Sequence, residues 1–204
     1  HLRARFQNQV RAASEISHPG AVSIYALDET PAGVPFLVME LLVGETLRER
    51  MRRELSADIQ QPQWPVGVTC RTLGQKPDKR DAKAAHSVLE AGFWEGGGGA
   101  PIFRKWWPQL RKDSEFDPAL VFLAVHGKEV IGMAQCWTSA FIKDLAVHPR
   151  ARRRGVGRAL MLMAFHAFAK RGATHVDLKV REENASALRL YRDLGMKIIA
   201  RDPD

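Results

Sequence analysis

From Phe141 onward, the order of residues leaves few ways to fold the chain. Phe141–Val147 is spaced as a strand and closed by Pro149, and Arg152-Arg153-Arg154-Gly155-Val156-Gly157 follows. Leu160, Met163, Ala164, Ala167 and Phe168 then recur at i, i+3, i+4, i+7 and i+8, the stripe of a one-sided helix, until Gly172 stops it. Thr174–Val180 sets Val176, Leu178 and Val180 on one face of a second strand; a helix over Ala185–Leu194 ends at Gly195, and Lys197–Arg201 reads as a last strand. Two strands joined through a helix lie parallel, because that crossover needs a dozen or more residues. The pattern places the chain in the α/β class with at least one parallel pair of strands.

Upstream of this core the spacing predicts a strand over Val66–Leu73. A helix capped by Asp81 then carries Ala84, Ala85, Val88 and Leu89 on one face. Gly96–Gly99 reads as a loop and Phe103–Lys112 as an aromatic helix with Trp106 and Trp107. Leu120–Val125 and Val130–Trp137 form two strands joined by His126-Gly127-Lys128. Residues 2–16 read as a helix ended by Ser17-His18-Pro19-Gly20, followed by strands over Ala21–Leu27 and Val34–Leu42 and a helical start at Glu45-Thr46-Leu47-Arg48. Gln60, Gln61, Pro62, Gln63 and Pro65 mark a linker. The expected organisation is therefore a segment over 1–55, a linker over 56–65 and a domain over 66–204.

Charge narrows the function. Residues 1–60 hold 7 Lys/Arg and 8 Asp/Glu, whereas residues 61–204 hold 24 and 15, so the net +8 of the chain lies wholly in the later part. Arg150, Arg152, Arg153, Arg154 and Arg158 fall within nine residues that contain no acid, which points to an anionic partner. The amides at the start of a helix have no intrahelical partner and lie at the positive end of its dipole; glycines lacking Cβ let an anion approach them, and arginines add charge-assisted bonds. A dinucleotide fingerprint would need glycine where Leu160 stands, and no GxxxxGK phosphate loop occurs. No apolar run reaches the roughly 20 residues of a membrane span, and no signal peptide is evident. Two cysteines, Cys70 and Cys136, make no disulfide framework and suit a cytoplasmic setting, where both are expected in the core. The seven histidines show no ligand spacing, so no metal is expected. The chain opens on His1 rather than Met, which suggests that its natural start lies further upstream.

Leu145-Ala146-Val147-His148-Pro149 with Arg152, Gly155 and Gly157 resembles the Q/R-x-x-G-x-G/A acetyl-CoA motif of the GNAT superfamily of N-acetyltransferases. Asn184, Ala187, Leu190, Tyr191 and Gly195 resemble its second signature, N-x-x-A-x-x-L-Y-x-x-x-G. The resemblance covers residues 66–204 and implies an α/β fold of the α+β type, a mixed sheet flanked by helices. It implies that Leu145, Ala146 and Val147 hold the pantetheine arm and acetyl carbonyl through their backbone. By the same likeness Arg152, Arg153, Arg154, Gly155, Val156, Gly157 and Arg158 cradle the pyrophosphate, Asn184 bonds the arm, and Tyr191 sits near the thioester sulfur. Acetyl-CoA is then the cosubstrate, attacked directly by an amine in a ternary complex. An ammonium of pKa 10.4 loses its proton at pH 7 at a cost of about 4.6 kcal/mol, which a general base relieves. Asp144 is the candidate base; the other reading of this residue is a surface or salt-bridged aspartate. A thiolate of pKa about 8.5 is protonated by a tyrosine of pKa about 10 only uphill, so Tyr191 is expected to act by hydrogen bonding. With only nine residues after Gly195, the family's usual last strand is expected to be absent.

Residues 1–55 resemble part of a Ser/Thr protein kinase small lobe, through Phe6–Val10, Ser17-His18-Pro19, Phe36-Leu37-Val38-Met39-Glu40 and Gly44-Glu45-Thr46-Leu47. Gln9 stands where the kinase glutamate would be, and the glycine-rich loop, strand lysine, HRD and DFG are missing, so this segment is expected to be non-catalytic. Expected partners are a small-molecule amine or a protein or peptide amine acceptor, with no membrane and no nucleic acid, and with a homodimer left open. The competing reading is a non-catalytic regulatory or scaffold protein that joins a kinase remnant to a CoA-binding domain. A third, nucleic-acid binding through the +9 of residues 61–204, would show steep salt dependence.

Overall fold

The computed structural model describes residues 24–31, 34–39, 47–56, 58–94 and 99–203. The chain divides into two compact units, residues 1–45 and 46–204. In the first, β1 (Ile24–Glu29) and β2 (Pro35–Met39) pair antiparallel, with Glu29 opposite Pro35. Thr30 closes the turn: its N–H donates to the Val34 carbonyl at 2.9 Å, and its Oγ1 accepts from the Val34 N–H at 3.1 Å. The helix expected over 2–16 lies outside the described residues, as do Glu45 and Thr46 of the helical start expected at Glu45-Thr46-Leu47-Arg48. The kinase likeness gains no support from what is described.

The second unit is built on a seven-stranded sheet in the order β4-β5-β6-β7-β8-β3-β9. Its strands are β3 (Leu47–Glu54), β4 (Val68–Thr72), β5 (Phe116–His126), β6 (Glu129–Trp137), β7 (Phe141–Val147), β8 (His175–Arg181) and β9 (Lys197–Pro203). Helices α1 (Lys79–Trp94) and α2 (Phe103–Lys112) precede β5; α3 (Val156–Lys170) joins β7 to β8, and α4 (Ala185–Asp193) joins β8 to β9. Only β7 and β8 run parallel; the other pairs are antiparallel, which gives the expected mixed sheet.

Two apolar layers hold the helices to the sheet. On one face α1 and α2 bury Ala85, Val88, Leu89, Trp106, Trp107 and Leu110 against Leu123, Met133 and Ala146. On the other, α3 buries Leu160, Met161, Ala164, Phe165 and Phe168 against Phe122, Ala134, Ile142 and Leu178. Burying each Val, Leu, Ile, Met or Phe among them contributes about 1.5–3 kcal/mol, and each alanine less. A β carbon on Gly132 would meet Val156 Cγ1 at 2.9 Å, so β6 admits α3 this closely only because residue 132 has none.

Three local expectations change. Helix α1 begins at Lys79, with Asp78 Oδ1 accepting from Arg80 N–H at 2.9 Å; Asp81 is not its cap but pairs with Arg71 of β4, whose Nη2 lies 2.8 Å from its Oδ1. The bond from Arg71 holds the Asp81 carboxyl below the ordinary carboxylate range. The expected linker is docked rather than free: Ile59 is buried, Trp64 packs on the α3 layer, Arg158 Nη2 donates to Gln60 Oε1 at 2.7 Å, and a His166 ring nitrogen bonds the Gln60 carbonyl at 3.1 Å. This covering explains why α3 is buried over more of its circumference than its stripe requires. And Leu47–Glu54, expected to open a helix, is a strand.

That strand fills the interior of the sheet. β3 pairs with β8 from Arg48↔Arg181 to Glu54↔His175 and with β9 from Leu47↔Pro203 to Arg52↔Lys197. The sheet therefore has a strand beside β9, taken from before β4 rather than after β9. Helix propensity is a weak local preference, and a segment offered two open sheet edges satisfies its backbone on both. Met51 is fully buried in the α3 layer, while Arg50 and Arg52 face the other way and converge on Asp177 of β8. Arg50 Nη2 lies 2.8 Å from Asp177 Oδ2 and Arg52 Nε 2.7 Å from Oδ1. Burial alone would raise the Asp177 pKa, but the two guanidinium groups outweigh it and hold the carboxyl below its ordinary value.

A depressed carboxyl pKa stabilises the fold above the unfolded value of about 3.9, and that contribution disappears as pH falls through the lower folded value. Asp177→Asn should therefore destabilise the protein at pH 7 by about 1–3 kcal/mol, discounted because both arginines are partly exposed. The difference from wild type should shrink below about pH 4. Urea unfolding at pH 2–7 checks this; equal midpoints at pH 7 would contradict it.

Candidate active site

β7 and β8 touch over two residue pairs only, Phe141↔Asp177 and Ile142↔Leu178, although β7 continues to Val147 and β8 to Arg181. Beyond Ile142 the strands part, and the edge of β7 toward β8 has no strand partner. A cavity of about 510 Å³ lies there, lined by Asp144, Leu145, Asn184 and Tyr191 from the expected set, together with Gln135 and Trp106.

A bulge decides which way Asp144 points. Gln135 pairs with Asp144 but Cys136 with Ile142, so β7 carries one extra residue at this position. Its consequence is visible in the packing: Ile142 joins the α3 layer and Ala146, four residues later, joins the α1–α2 layer. Without the extra residue, strand alternation would put both on one face. Asp144 shares the parity of Ala146 and so faces the α1–α2 side, whereas Leu145 and Val147 pack toward α3. Burial pushes the Asp144 pKa up, partly offset by the positive charges of Lys143 and Arg48. Tyr191, 7% exposed, has its phenol pKa pushed up by burial and then by the Asp144 charge, so it stays a hydrogen-bond donor. Burial also raises the Cys70 thiol to about 11 and the Cys136 thiol further, which leaves neither a nucleophile near neutral pH.

The turn after β7 leads to the second half of the site. His148 is followed by a short 3₁₀ turn, Pro149–Ala151, and Gly155 then caps α3 with φ +88°, a left-handed backbone that favours glycine. No side chain caps α3, and a β carbon on Gly155 would meet nothing within 4 Å. The first amides of the helix are thus available to a ligand, at the positive end of the dipole. A β carbon on Gly157 would lie 3.5 Å from Leu190 Cδ2 and 3.6 Å from Val147 Cγ2, so this turn abuts both β7 and the helix that carries Tyr191.

The arginine cluster is used unevenly. Arg152 turns inward, Nε 3.3 Å from the Val147 carbonyl and Nη2 3.1 Å from the Gly92 carbonyl, and so ties the turn to α1. Arg150 pairs with Glu129 at 2.6 Å and Arg158 with Gln60 at 2.7 Å. Arg153 and Arg154 are exposed and remain as the flanking cations for an anion. Three of five guanidinium groups thus serve the fold, which argues against an extended nucleic-acid face. Asn184 caps α4, its Oδ1 accepting from Ala187 N–H at 3.1 Å, and the residue borders the cavity.

Most of the lining had not been anticipated, and two polar residues of it matter most, Gln135 and Arg48. Gln135, 2% exposed, is a lone amide in the otherwise apolar run of β6, and that isolation was the available signal. Arg48 comes from β3, about 90 residues ahead of β7, and no local signal could have placed it here. Among the described residues no group of three or more His, Cys, Asp or Glu is arranged to hold a metal ion, and no helix is long and apolar enough to cross a membrane.

A family model described as the Acetyltransferase (GNAT) family matches residues 87–196. A mycothiol acetyltransferase of Thermomonospora curvata is 39% identical over 198 residues, covering 90% of this chain and 62% of its own length. One from Thermobispora bispora is 31% identical over 163 residues, covering 72% of this chain and 52% of its own. Among solved structures, a GCN5-related N-acetyltransferase from Sphaerobacter thermophilus superposes with a TM-score of 0.64 at 29% identity, covering 78% of this chain and 50% of that one. The chain thus spans between half and two thirds of the length of these proteins.

The raised Asp144 pKa makes a stability claim. A carboxyl whose folded pKa lies above the unfolded value costs stability progressively as pH rises from about 4 toward the folded pKa. Asp144→Asn should match wild type near pH 4 and melt at higher temperature by pH 7–8. A lower melting temperature at pH 7 would show that the carboxylate is stabilised by its neighbours instead.

Proposed function

The chain belongs to the Acetyltransferase (GNAT) family, and from that premise we propose that it carries an acetyl group from acetyl-CoA to the nitrogen of an amine, by direct attack within a ternary complex. The observation that carries this reading is the gap between β7 and β8, which has an uncapped helix start beyond the end of β7 and Asp144 with Tyr191 inside it. Acetyl transfer is assigned to residues 46–204, and residues 1–45 are taken as non-catalytic.

The residues fit the cosubstrate. The amides of Arg153–Gly157 offer the anion site for the diphosphate, with Arg153 and Arg154 adding charge. The unpaired edge of β7 at Leu145–Val147 offers backbone groups to the pantetheine arm and to the oxyanion. Asn184 stands beside this edge in the cavity lining. The thioester supplies an activated acetyl carbonyl. Asp144 accepts the ammonium proton; the raised pKa of its carboxyl narrows the gap to the amine and so lowers the cost of that transfer. The freed amine nitrogen adds to the carbonyl carbon, the resulting oxyanion re-forms the carbonyl as the C–S bond breaks, and the nitrogen gives up its second proton to solvent so that the amide keeps one N–H. Tyr191 then donates a hydrogen bond to the departing sulfur, which leaves as thiolate and takes its proton from solvent. Positioning both substrates in one cavity supplies much of the acceleration, because effective molarities reach ~10⁵ M or more.

The relatives' names direct the choice of acceptor: we assign a small-molecule amine of the mycothiol type, ahead of a protein or peptide amine. Retention of a withdrawn carboxyl and a buried tyrosine in an open cavity favours catalysis over a scaffold role. A reducing cytoplasm, which keeps Cys70 and Cys136 as thiols, belongs to the same proposal.

Thiol release from acetyl-CoA by the full chain, measured across glucosamine, cysteamine, spermidine and a tripeptide with a free N-terminus, tests the reading. Amine-dependent release is expected; Asp144→Asn should lower kcat/KM at pH 7 by about 10²–10⁴ and Tyr191→Phe should lower kcat with little change in acceptor KM. Binding of acetyl-CoA without release to any amine would reduce the protein to a coenzyme binder.

A further inference from the structure

The cavity contains a buried polar atom that the fold itself leaves unused. Gln135 is 2% exposed, lines the cavity, and its side-chain carbonyl oxygen, Oε1, is buried with no hydrogen-bond partner. Buried amide oxygens are nearly always paired, and an orphan weakens the free protein. Its place is specific. Gln135 is the cross-strand partner of Asp144 at the β7 bulge. It follows Met133 at strand spacing and so faces the α1–α2 side, the face of Asp144. Two side chains that can only accept from an ammonium, one ionisable and one neutral, therefore stand side by side in the gap where the acetyl group is to be transferred.

We propose that Gln135 recognises the acceptor nitrogen: its Oε1 accepts one N–H of the amine while Asp144 removes another proton. This rests on the acetyltransfer reading above and deepens it by naming the acceptor chemistry. A primary ammonium has three N–H groups. One proton goes to Asp144 and frees the lone pair that attacks the acetyl carbon; of the two that remain, one bonds Gln135, turns that lone pair toward the carbonyl and stays as the amide N–H, and the other passes to solvent once the C–N bond has formed. An alcohol or a thiol has a single proton, which Asp144 takes, so its oxygen or sulfur would leave Gln135 Oε1 unmet. Gln135 thus selects nitrogen over oxygen or sulfur in an acceptor that carries both, through the same unpaired-group penalty by which sites built to bond N–H reject analogues lacking it. The neutral amide suits this place better than a second carboxylate, which would compete with Asp144 for the proton.

The test is steady-state kinetics and thermal unfolding of the full chain with Gln135→Met and Gln135→Glu. The acceptor is the amine of the panel above with the highest kcat/KM, and its matched alcohol serves as competitive inhibitor. Gln135→Met should raise the amine KM by about tenfold or more, as expected for losing a hydrogen bond to a cationic group. The alcohol Ki and the acetyl-CoA Kd should stay within about twofold, and the melting temperature should equal or exceed wild type, because an unsatisfied buried oxygen has been removed. Gln135→Glu, which keeps an accepting oxygen, should hold the amine KM within about threefold of wild type. An unchanged amine KM in Gln135→Met, a parallel rise of amine KM and alcohol Ki, or a lower melting temperature would each overturn the assignment while leaving acetyl transfer standing. Failure of the wild type to acetylate any panel amine would remove both.

Discussion

The rest of the structure depends on how short the contact between β7 and β8 is. Two residue pairs join them, and the sheet then opens. Parallel strands joined through a helix usually pair along their shared length, and here they do not, so the backbone edge of β7 has no strand partner beyond Ile142, and Arg152 Nε bonds its Val147 carbonyl. An unpaired edge is a cost in a monomeric sheet unless a ligand takes its hydrogen bonds. The opening also puts two groups that no single element could bring together around one volume, the carboxyl of Asp144 turned by its bulge and the phenol of Tyr191, and the start of α3 follows beyond the end of β7.

The sheet tolerates this gap because it is held together on the far side. β3 lies between β8 and β9 and is bonded to both. The Asp177 carboxyl gathers Arg50 and Arg52, so that the strand is fixed by charge as well as by backbone. The same strand delivers Arg48 to the cavity, where its positive charge restrains the Asp144 pKa from rising further. Sheet completion and site electrostatics are thus coupled through eight residues that lie outside the family-matched span of 87–196.

Much of the cofactor half was legible in the sequence because its signals are local. Helix periodicity, the Arg-Gly turn and the second signature ending at Gly195 all act within a few residues of one another, and α3, α4, β7 and β8 lie where those signals put them. The other half depends on distant pairing. Leu47–Glu54 sets Leu47 and Met51 four apart among Arg and Glu, a spacing that suits a helix, and only the two open edges of β8 and β9 make it a strand. The direction of Asp144 depends on one extra residue in β7 relative to β6, which alternation alone does not reveal. Asp81 carries a good capping residue type, but Arg71 on a neighbouring strand claims its carboxylate. Each discrepancy arises where a long-range partner outbids a local preference.

The central claim is that the uncapped start of α3 and the open edge of β7 together bind a coenzyme. Amide ¹H–¹⁵N spectra of the full chain, recorded while acetyl-CoA is added, address it most directly. The account predicts the largest shifts at the N–H groups of Arg153–Gly157 and Leu145–Val147, with smaller ones at Asn184 and Tyr191. Shifts confined to other regions, or none at saturating coenzyme, would contradict it.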